Sequence, residues 1–404
     1  MRELDTWRGA SASTSAAERC EDSPFSFSSA RRTLTAAGPG TPLPLTRGGD
    51  VAQQAALALA SDSAPDARAV VAGAIAYNGE RHPPRLRLHT VRHAHQHQHQ
   101  QAANADQLGD SVFLSEAPLD VIPQPAAAHY RQAVRRALTE IQAGLLHKVV
   151  LARSLELRLR QPLALEALLL RLQRQNPGKY VFRCDLAEPR QQPRVLIGAS
   201  PELLLSKQGP QVVSHPLAGS VPRNLADARD DELRARALMR SAKNLHEHAI
   251  VVEAVSETLT RECRSLHVPA APSLVQTATM WHLGTKITGR LQDPECSSLS
   301  LALALHPTPA VCGTPQRAAA RAIEGFEGLD RGYFGGIVGY CDGSGDGEWA
   351  VSIRCAEATA TSLRLYAGAG IVADSDPHDE LAETTAKLGT MLKALGFSGL
   401  ERDC

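Results

Sequence analysis

The spacing of apolar and polar positions along this chain predicts most of its elements. Ala69 to Tyr77 (AVVAGAIAY) is a nearly unbroken apolar run of strand length and reads as a buried strand. After Pro125, the residues Tyr130, Val134, Leu138 and Ile141 recur at helical spacing, and Gly144 supplies a stop. His147 to Leu157 (HKVVLARSLEL) alternates with a period of two. That puts Val149, Leu151, Leu155 and Leu157 on one face of a strand, and Lys148, Val150, Ala152 and Ser154 on the other. Val195 to Ser220 predicts two strands joined by Lys207-Gln208-Gly209, and Asp227 to Cys263 a helical stretch. Gly335 to Val372 predicts strand, turn, strand, strand. The closing helix, Pro377 to Leu395, has Asp376 as N-cap, Pro377 at its first position and Gly396 as its stop. Ala36 to Asp50, rich in Gly and Pro, predicts a loop, and Met1 to Asp22 a disordered leader.

Composition narrows the partners. The 404 residues carry 43 Lys+Arg against 43 Asp+Glu, so the electrostatic footprint of a nucleic-acid or anionic-membrane binder is missing. Aromatics at 4% argue against base-stacking platforms. Charged residues at 21% and hydrophobic ones at 43% fit a globular enzyme or a binding protein for a small molecule. The cysteines are scattered without a C-x-x-C pair, which predicts reduced thiols and a cytoplasmic location. No apolar run approaches the ~18 residues of a membrane span. His93 to Gln101 (HAHQHQHQQ) could offer imidazoles to a metal. Without a Cys, Asp or Glu in the tract, it fits a solvated loop insertion better.

Several familiar motifs fail on inspection. Gly368-Ala369-Gly370 lacks the third glycine of a dinucleotide fingerprint. Asp342 to Gly347 (DGSGDG) begins like a calcium loop but has Ile353 where the bidentate Glu belongs, so it reads as a turn. His246-Glu247-His248 is not a zincin motif, and there is no G-x-S-x-G elbow. What remains is a set of polar residues in apolar surroundings. Glu202, before three leucines, is either a desolvated acid able to donate a proton or an exposed edge-strand Glu, the commoner state of an isolated acid. Glu380, Glu383 and Lys387 share one face of the last helix, and Lys243 and Glu247 stand at i, i+4 on another. Each set is either a solvated salt-bridged stripe or, if the two faces meet, an oxygen-ligand site for Mg²⁺. Arg354, between Ile353 and Cys355 in a predicted core strand, needs a partner, and a carboxylate held bidentately would be one.

Taken in order, these segments resemble the chorismate-utilising enzymes, closest to the isochorismate synthases of siderophore-type pathways. The matching blocks are HKVVLAR from His147, GASPELLL from Gly198, HPLAGS from His215, KNLHEH from Lys243 and TMWHL from Thr279. They continue with LHPTPA from Leu305, DRGYFGGIVGYCD from Asp330, GEWAVSIRCA from Gly347, AGAGIV from Ala367 and ETTAKL from Glu383. The likeness runs unbroken from about Asp120 to Phe397 and weakly over Ser23 to Tyr77.

The resemblance implies an α+β fold like that of anthranilate synthase component I, with two packed α/β halves, largely antiparallel sheets and an active site between them. It divides the chain into a leader (1–22), an N-terminal part of the fold (23–119), a chorismate-binding catalytic region (120–398) and a short tail (399–404). It implies Mg²⁺ held by Glu247 and Glu383 with Glu380 nearby, and bridging to the ring carboxylate of chorismate. By the same resemblance Arg354 and the Gly368 backbone hold the enolpyruvyl carboxylate. Gly219, Ser220, Ala310 and Lys387 line the substrate, and His306 stands near the reacting ring carbons. Lys148 is implied as the base that activates water for attack at C2, and Glu202 as the acid that protonates the hydroxyl leaving C4. Such a base must spend time neutral, which burial or a neighbouring cation could supply.

Two positions sort the chemistry within the family. Ammonia-using members carry Gln at the position of Lys148, and aminodeoxychorismate synthases a nucleophilic Lys at that of Ala218. The expected activity is therefore isochorismate synthase. The alternatives are salicylate synthase, which goes on to eliminate pyruvate, and a non-catalytic chorismate-binding protein. A monomer is expected, with a downstream isochorismatase or lyase as a partner.

Overall fold

The computed structural model describes residues 24–45, 49–61, 69–94, 117–187, 192–397 and 400. The expected leader, the His/Gln tract beyond Ala94 and all but Leu400 of the expected tail lie outside them. Two large antiparallel sheets share one long strand, Arg85–Ala94. On one side of it the order is Thr33–Ala36, Phe25–Ser28, Tyr180–Asp185, Val195–Ser200, Cys355–Ala358, Ser362–Ile371 and Lys148–Arg158. On the other side it is Ala69–Ile75, Ile337–Asp342, Gly347–Val351, Leu203–Gln208, Gln211–His215, Ile287–Leu291 and Cys263–His267. A small third sheet joins Leu217–Pro222, Met280–Gly284 and Ser273–Gln276. Strands from 25–94 enter both large sheets, so the expected N-terminal part and catalytic region share one core.

Phe27, Val70, Phe182, Leu196, Val338 and Tyr340 fill the space between the sheets. Helices Leu165–Gln175 and Pro377–Leu395 cover the outer face of the first sheet, and Ala242–Glu262 and Ser298–Leu305 that of the second. Ala127–Gln142 and Gln316–Phe326 close over the Lys148–Arg158 strand. With both faces covered, that strand is buried from Lys148 through Leu155. Its expected division into an inner and an outer face does not occur, and Lys148, Arg153 and Ser154 are all buried.

The last helix forms as its sequence predicts. The Asp376 carboxylate accepts from the His378 and Asp379 amides at 2.8 and 3.2 Å, and Gly396 takes the left-handed conformation at φ 86°. Elsewhere the elements are more broken than expected. The stretch 195–220 holds four strands rather than two. Pro216, with no N–H for a ladder, separates Gln211–His215 from Leu217–Pro222 and sends the latter into the third sheet. The helical stretch 227–263 is two helices, Ala228–Leu238 and Ala242–Glu262, each with its own side-chain cap, Asp227 and Ser241. Gly335 to Val372 holds four strands, and the expected loop at 36–50 carries the two-residue strand Thr41–Pro42. Asp342 to Gly347 is the turn its sequence predicts, pinned by Lys207 Nζ donating to Asp346 at 2.8 Å.

Candidate active site

One cleft of about 600 Å³, open mouth included, gathers residues from four strands, two helices and the segments between them: Lys148–Arg158, Leu217–Pro222, Met280–Gly284, Ser362–Ile371, Ala242–Glu262 and Pro377–Leu395. Of the predicted site residues, Glu202, Gly219, Ser220, Glu247, Ala310, Arg354, Gly368 and Lys387 line it. Lys148, Glu380 and Glu383 stand directly behind that lining.

Lys148 is fully buried, not the exposed strand lysine its pattern allows. Its Nζ lies 3.0 Å from Glu247 Oε1 without hydrogen-bond alignment and has no other partner among the described residues. The i, i+4 spacing of Lys243 and Glu247 suggested that those two would pair. Instead Lys243 pairs with Glu380 of the last helix. The two acidic faces therefore do meet in space, through that lysine. Gly370, on the strand beside Lys148, makes the arrangement possible: a Cβ there would overlap Glu247 Oε1 and stand 2.9 Å from Lys148 Cε.

The stripe on the last helix is no solvated salt bridge. Glu380 is 1% exposed. Burial, then the neighbouring charge of Glu383, push its carboxyl up to about 7 against the pull of Lys243. Burial also acts to raise Glu383, but Lys387, Lys243 and the Ser220 hydroxyl outweigh it and hold Glu383 below the usual carboxylate range. Ser220 Oγ donates to Glu383 Oε1 at 2.9 Å. Lys387 Nζ donates to the same oxygen and to Gly368 O at 2.9 Å. Each of these three carboxylates thus faces a lysine. Among the described residues no three His, Cys, Asp or Glu side chains are gathered at metal-holding spacing.

On the opposite wall, Glu202 is 3% exposed, which overturns the edge-strand alternative. Burial pushes its carboxyl up to about 7, against the Leu217 amide and the charges of Lys148, Arg354 and Lys387. Arg354 sits in a bend between strands rather than within one, at φ 52°. An L-residue there is strained by roughly 1–2 kcal/mol. Its buried guanidinium makes no hydrogen bond or ion pair among the described residues. Burial lowers it to about 10, with Glu383 and Glu202 acting to raise it. A buried guanidinium without a partner is costly, and a bound carboxylate would relieve it.

The cleft lining differs from the expected residues at two histidines. His306 does not line the cleft: its Nε2–H donates to Ala76 O at 3.3 Å, and burial lowers it to about 4. His282, which sequence reasoning left without a role, does line it, with a buried Nε2 that has no partner among the described residues. Burial, with Arg354 and Lys387 nearby, holds its ring well below its usual range and so neutral. The one signal was a lone polar residue inside Met280–Gly284. His248, lowered by burial to about 4, donates from Nδ1 to Ala218 O at 3.2 Å and accepts from Thr285 Oγ1 at 2.7 Å. It locks the Glu247 helix onto the Ser220 strand.

Comparison with known proteins agrees with this geometry. The family described as chorismate binding enzyme matches residues 70–396, and the chain belongs to that family. It is 53% identical over 276 residues to isochorismate synthase DhbC of Bacillus subtilis (strain 168), covering 68% of this chain and 69% of that protein. A solved structure of a putative 2,3-dihydroxybenzoate-specific isochorismate synthase, DhbC from Bacillus anthracis, superposes with TM-score 0.84 at 40% identity, covering 93% of this chain and 97% of that one. Anthranilate synthase component I from Streptococcus pneumoniae TIGR4, 22% identical, shares the fold with TM-score 0.70 over 89% of this chain and 92% of its own. The expected family and the α+β fold class are thereby borne out.

Proposed function

We propose that the chain is a siderophore-type isochorismate synthase, converting chorismate to isochorismate with Mg²⁺. The observation that carries the proposal is the unpaired, buried Arg354 guanidinium facing a cleft that also holds Glu202 and has Lys148 behind its Glu247 lining. Such a cleft suits a small carboxylate-bearing substrate that needs proton transfer. Arg354, with the Gly368 backbone beside it, takes the enolpyruvyl carboxylate. Gly219, Ser220, Ala310 and Lys387 shape the rest of the pocket.

The reaction is an isomerisation with balanced water. Lys148 accepts a proton as the oxygen of a water molecule bonds to C2 and the ring double bonds shift. The C4–O bond breaks as Glu202 gives its proton to the departing hydroxyl, which leaves as water. A carboxyl poised near pH 7 is matched to that task. Glu247 and Glu383, with Glu380 behind them, are hard oxygen donors of the kind Mg²⁺ takes. That ion is commonly held by only one or two protein carboxylates plus its substrate, so the donors present fit it. When bound, it supplies positive charge against the ring carboxylate. Free thiols at all the described cysteines suit a cytoplasmic enzyme, and a downstream isochorismatase or lyase would consume the product.

The test is to incubate pure protein with chorismate and Mg²⁺ and to separate the products by chromatography. Isochorismate without pyruvate is expected. Pyruvate and salicylate appearing without added lyase would point to salicylate synthase, and binding without turnover to a non-catalytic protein.

A further inference from the structure

The Lys148–Arg158 strand has an interrupted outer edge. Its inner edge pairs from Val149 to Arg158 with Ser362–Ile371. The outer edge pairs with Gly313–Thr314 at Lys148 and Val149, and with Asp120–Gln124 only from Ser154 onward. In between, Val150 O and Ala152 N have no strand to bond among the described residues, and buried backbone groups left unpaired are costly.

Two side chains fill the gap. Arg331 Nη2 donates to Val150 O at 2.8 Å, and Ala152 N donates to Glu327 Oε1 at 2.7 Å. Arg331 Nε donates to Glu327 Oε2 at 2.9 Å, closing the pair, and Nη1 donates to Val311 O at 2.7 Å. Both side chains are almost fully buried. The guanidinium also lies 4.4 Å over the Tyr77 ring, whose hydroxyl donates to Cys312 Sγ at 3.2 Å.

The position of this bridge matters more than its strength. Val150 and Val311 face each other's segments in the cleft wall, the first close to Lys148, the second adjacent to Ala310. We propose that Glu327 and Arg331 are a positioning pair that fixes the strand of Lys148 against the turn of Ala310, and so sets where the base stands over the substrate. This rests on Lys148 being the base. An ion pair kept only for stability could be exchanged for apolar residues of like volume at little cost. A positioning pair could not, because no apolar side chain bonds Val150 O, Val311 O and Ala152 N at once.

The experiment compares the Glu327→Leu/Arg331→Met double variant with Arg331→Lys, Glu327→Gln and Lys148→Ala, each at saturating Mg²⁺. kcat and KM for chorismate are measured alongside the melting temperature. The expected result is a folded double variant whose kcat falls on the order of ten- to a hundredfold while KM stays within about twofold, the signature of a displaced catalytic group. Arg331→Lys, which cannot reach both carbonyls, should fall similarly. Glu327→Gln, which keeps an acceptor for Ala152 N, should lose least. Wild-type kcat in the double variant overturns the inference. So does a fall in kcat that tracks the melting temperature across the series while KM rises, which marks a merely structural role; if the double variant does not fold, the single variants decide by the same criteria. Retained turnover in Lys148→Ala would instead strike down the assignment of the base, and is thereby distinguished from failure of the positioning pair.

Discussion

Glu202→Gln separates the chemistry of the proposed acid from its energetics. Burial raises this carboxyl from 4.5 to about 7 in the folded chain. Between those values the folded state holds a proton that the unfolded chain has released, so the stability contributed by protonation is complete below pH 4.5 and drains away as pH climbs to 7. Above 7 a buried carboxylate remains, and a shift of this size corresponds to about 3 kcal/mol. Glutamine keeps the shape and never ionises. The variant should therefore match the parent near pH 5 and exceed its stability at pH 8 by up to about 3 kcal/mol, seen as a melting-temperature gap of several degrees that widens with pH. Other carboxylates are common to both proteins and cancel in the difference. Over the same pH series, chorismate turnover by the variant should fall by roughly 10²–10⁴, the usual worth of a general acid. A melting gap that does not change with pH would refute the desolvated acid, and near-normal turnover would refute its catalytic role.

The other predictions act on the neighbours of that acid. Arg354→Met should raise the melting temperature, because a strained site loses an unpaired buried charge, while KM for chorismate rises on the order of a hundredfold in steady-state assays. Gly370→Ala should cost about 1–3 kcal/mol in thermal denaturation and remove most activity, since its methyl collides with Glu247 and crowds Lys148. Lys148→Ala should abolish turnover and, by leaving Glu247 buried without its cation, lower stability by roughly 3 kcal/mol in a chemical-denaturation series. Removal of Mg²⁺ by chelation should weaken chorismate binding, and chorismate should tighten Mg²⁺ binding by the same factor in calorimetry.

Local signals carried the elements, and distant contacts decided the site. The last helix was legible because its cap, its first proline and its terminal glycine are all local, and Glu380, Glu383 and Lys387 do share its face. What those residues face was not legible, because Lys243 comes from another helix that no spacing rule connects to Glu380. The same limit made Lys243 and Glu247 look like a pair. Lys148 showed the right strand but not its burial, which depends on helices distant in sequence laid over that strand. Arg354 stood out as a lone charge among apolar residues, yet its left-handed turn has no signature in Ser352-Ile353-Arg354-Cys355. Gly370 and His282 went without roles because a space that only glycine can leave, or a ring with one free nitrogen, exists only once other chains of contact are in place.

The charges behind the cleft explain how a neutral chain can select an anion. Glu247, Glu380 and Glu383 face Lys148, Lys243 and Lys387, so most of the buried charge is already matched within the protein. Glu202, poised near 7, is readily neutral. Among the described charged residues of the cleft, Arg354 is the unmatched one, and it faces the space a ligand would fill. One carboxylate of chorismate can be taken into this low-dielectric region against Arg354. The second cannot be buried cheaply without a further cation, and the lysines are committed to their own partners. A dication entering with the dianion leaves the net buried charge where it was, which is the physical reason to expect the two to bind as a unit. The 43 Lys+Arg and 43 Asp+Glu of the whole sequence, buried ones included, sum to zero, and that sum carries no information about a pocket in which a single arginine is left over.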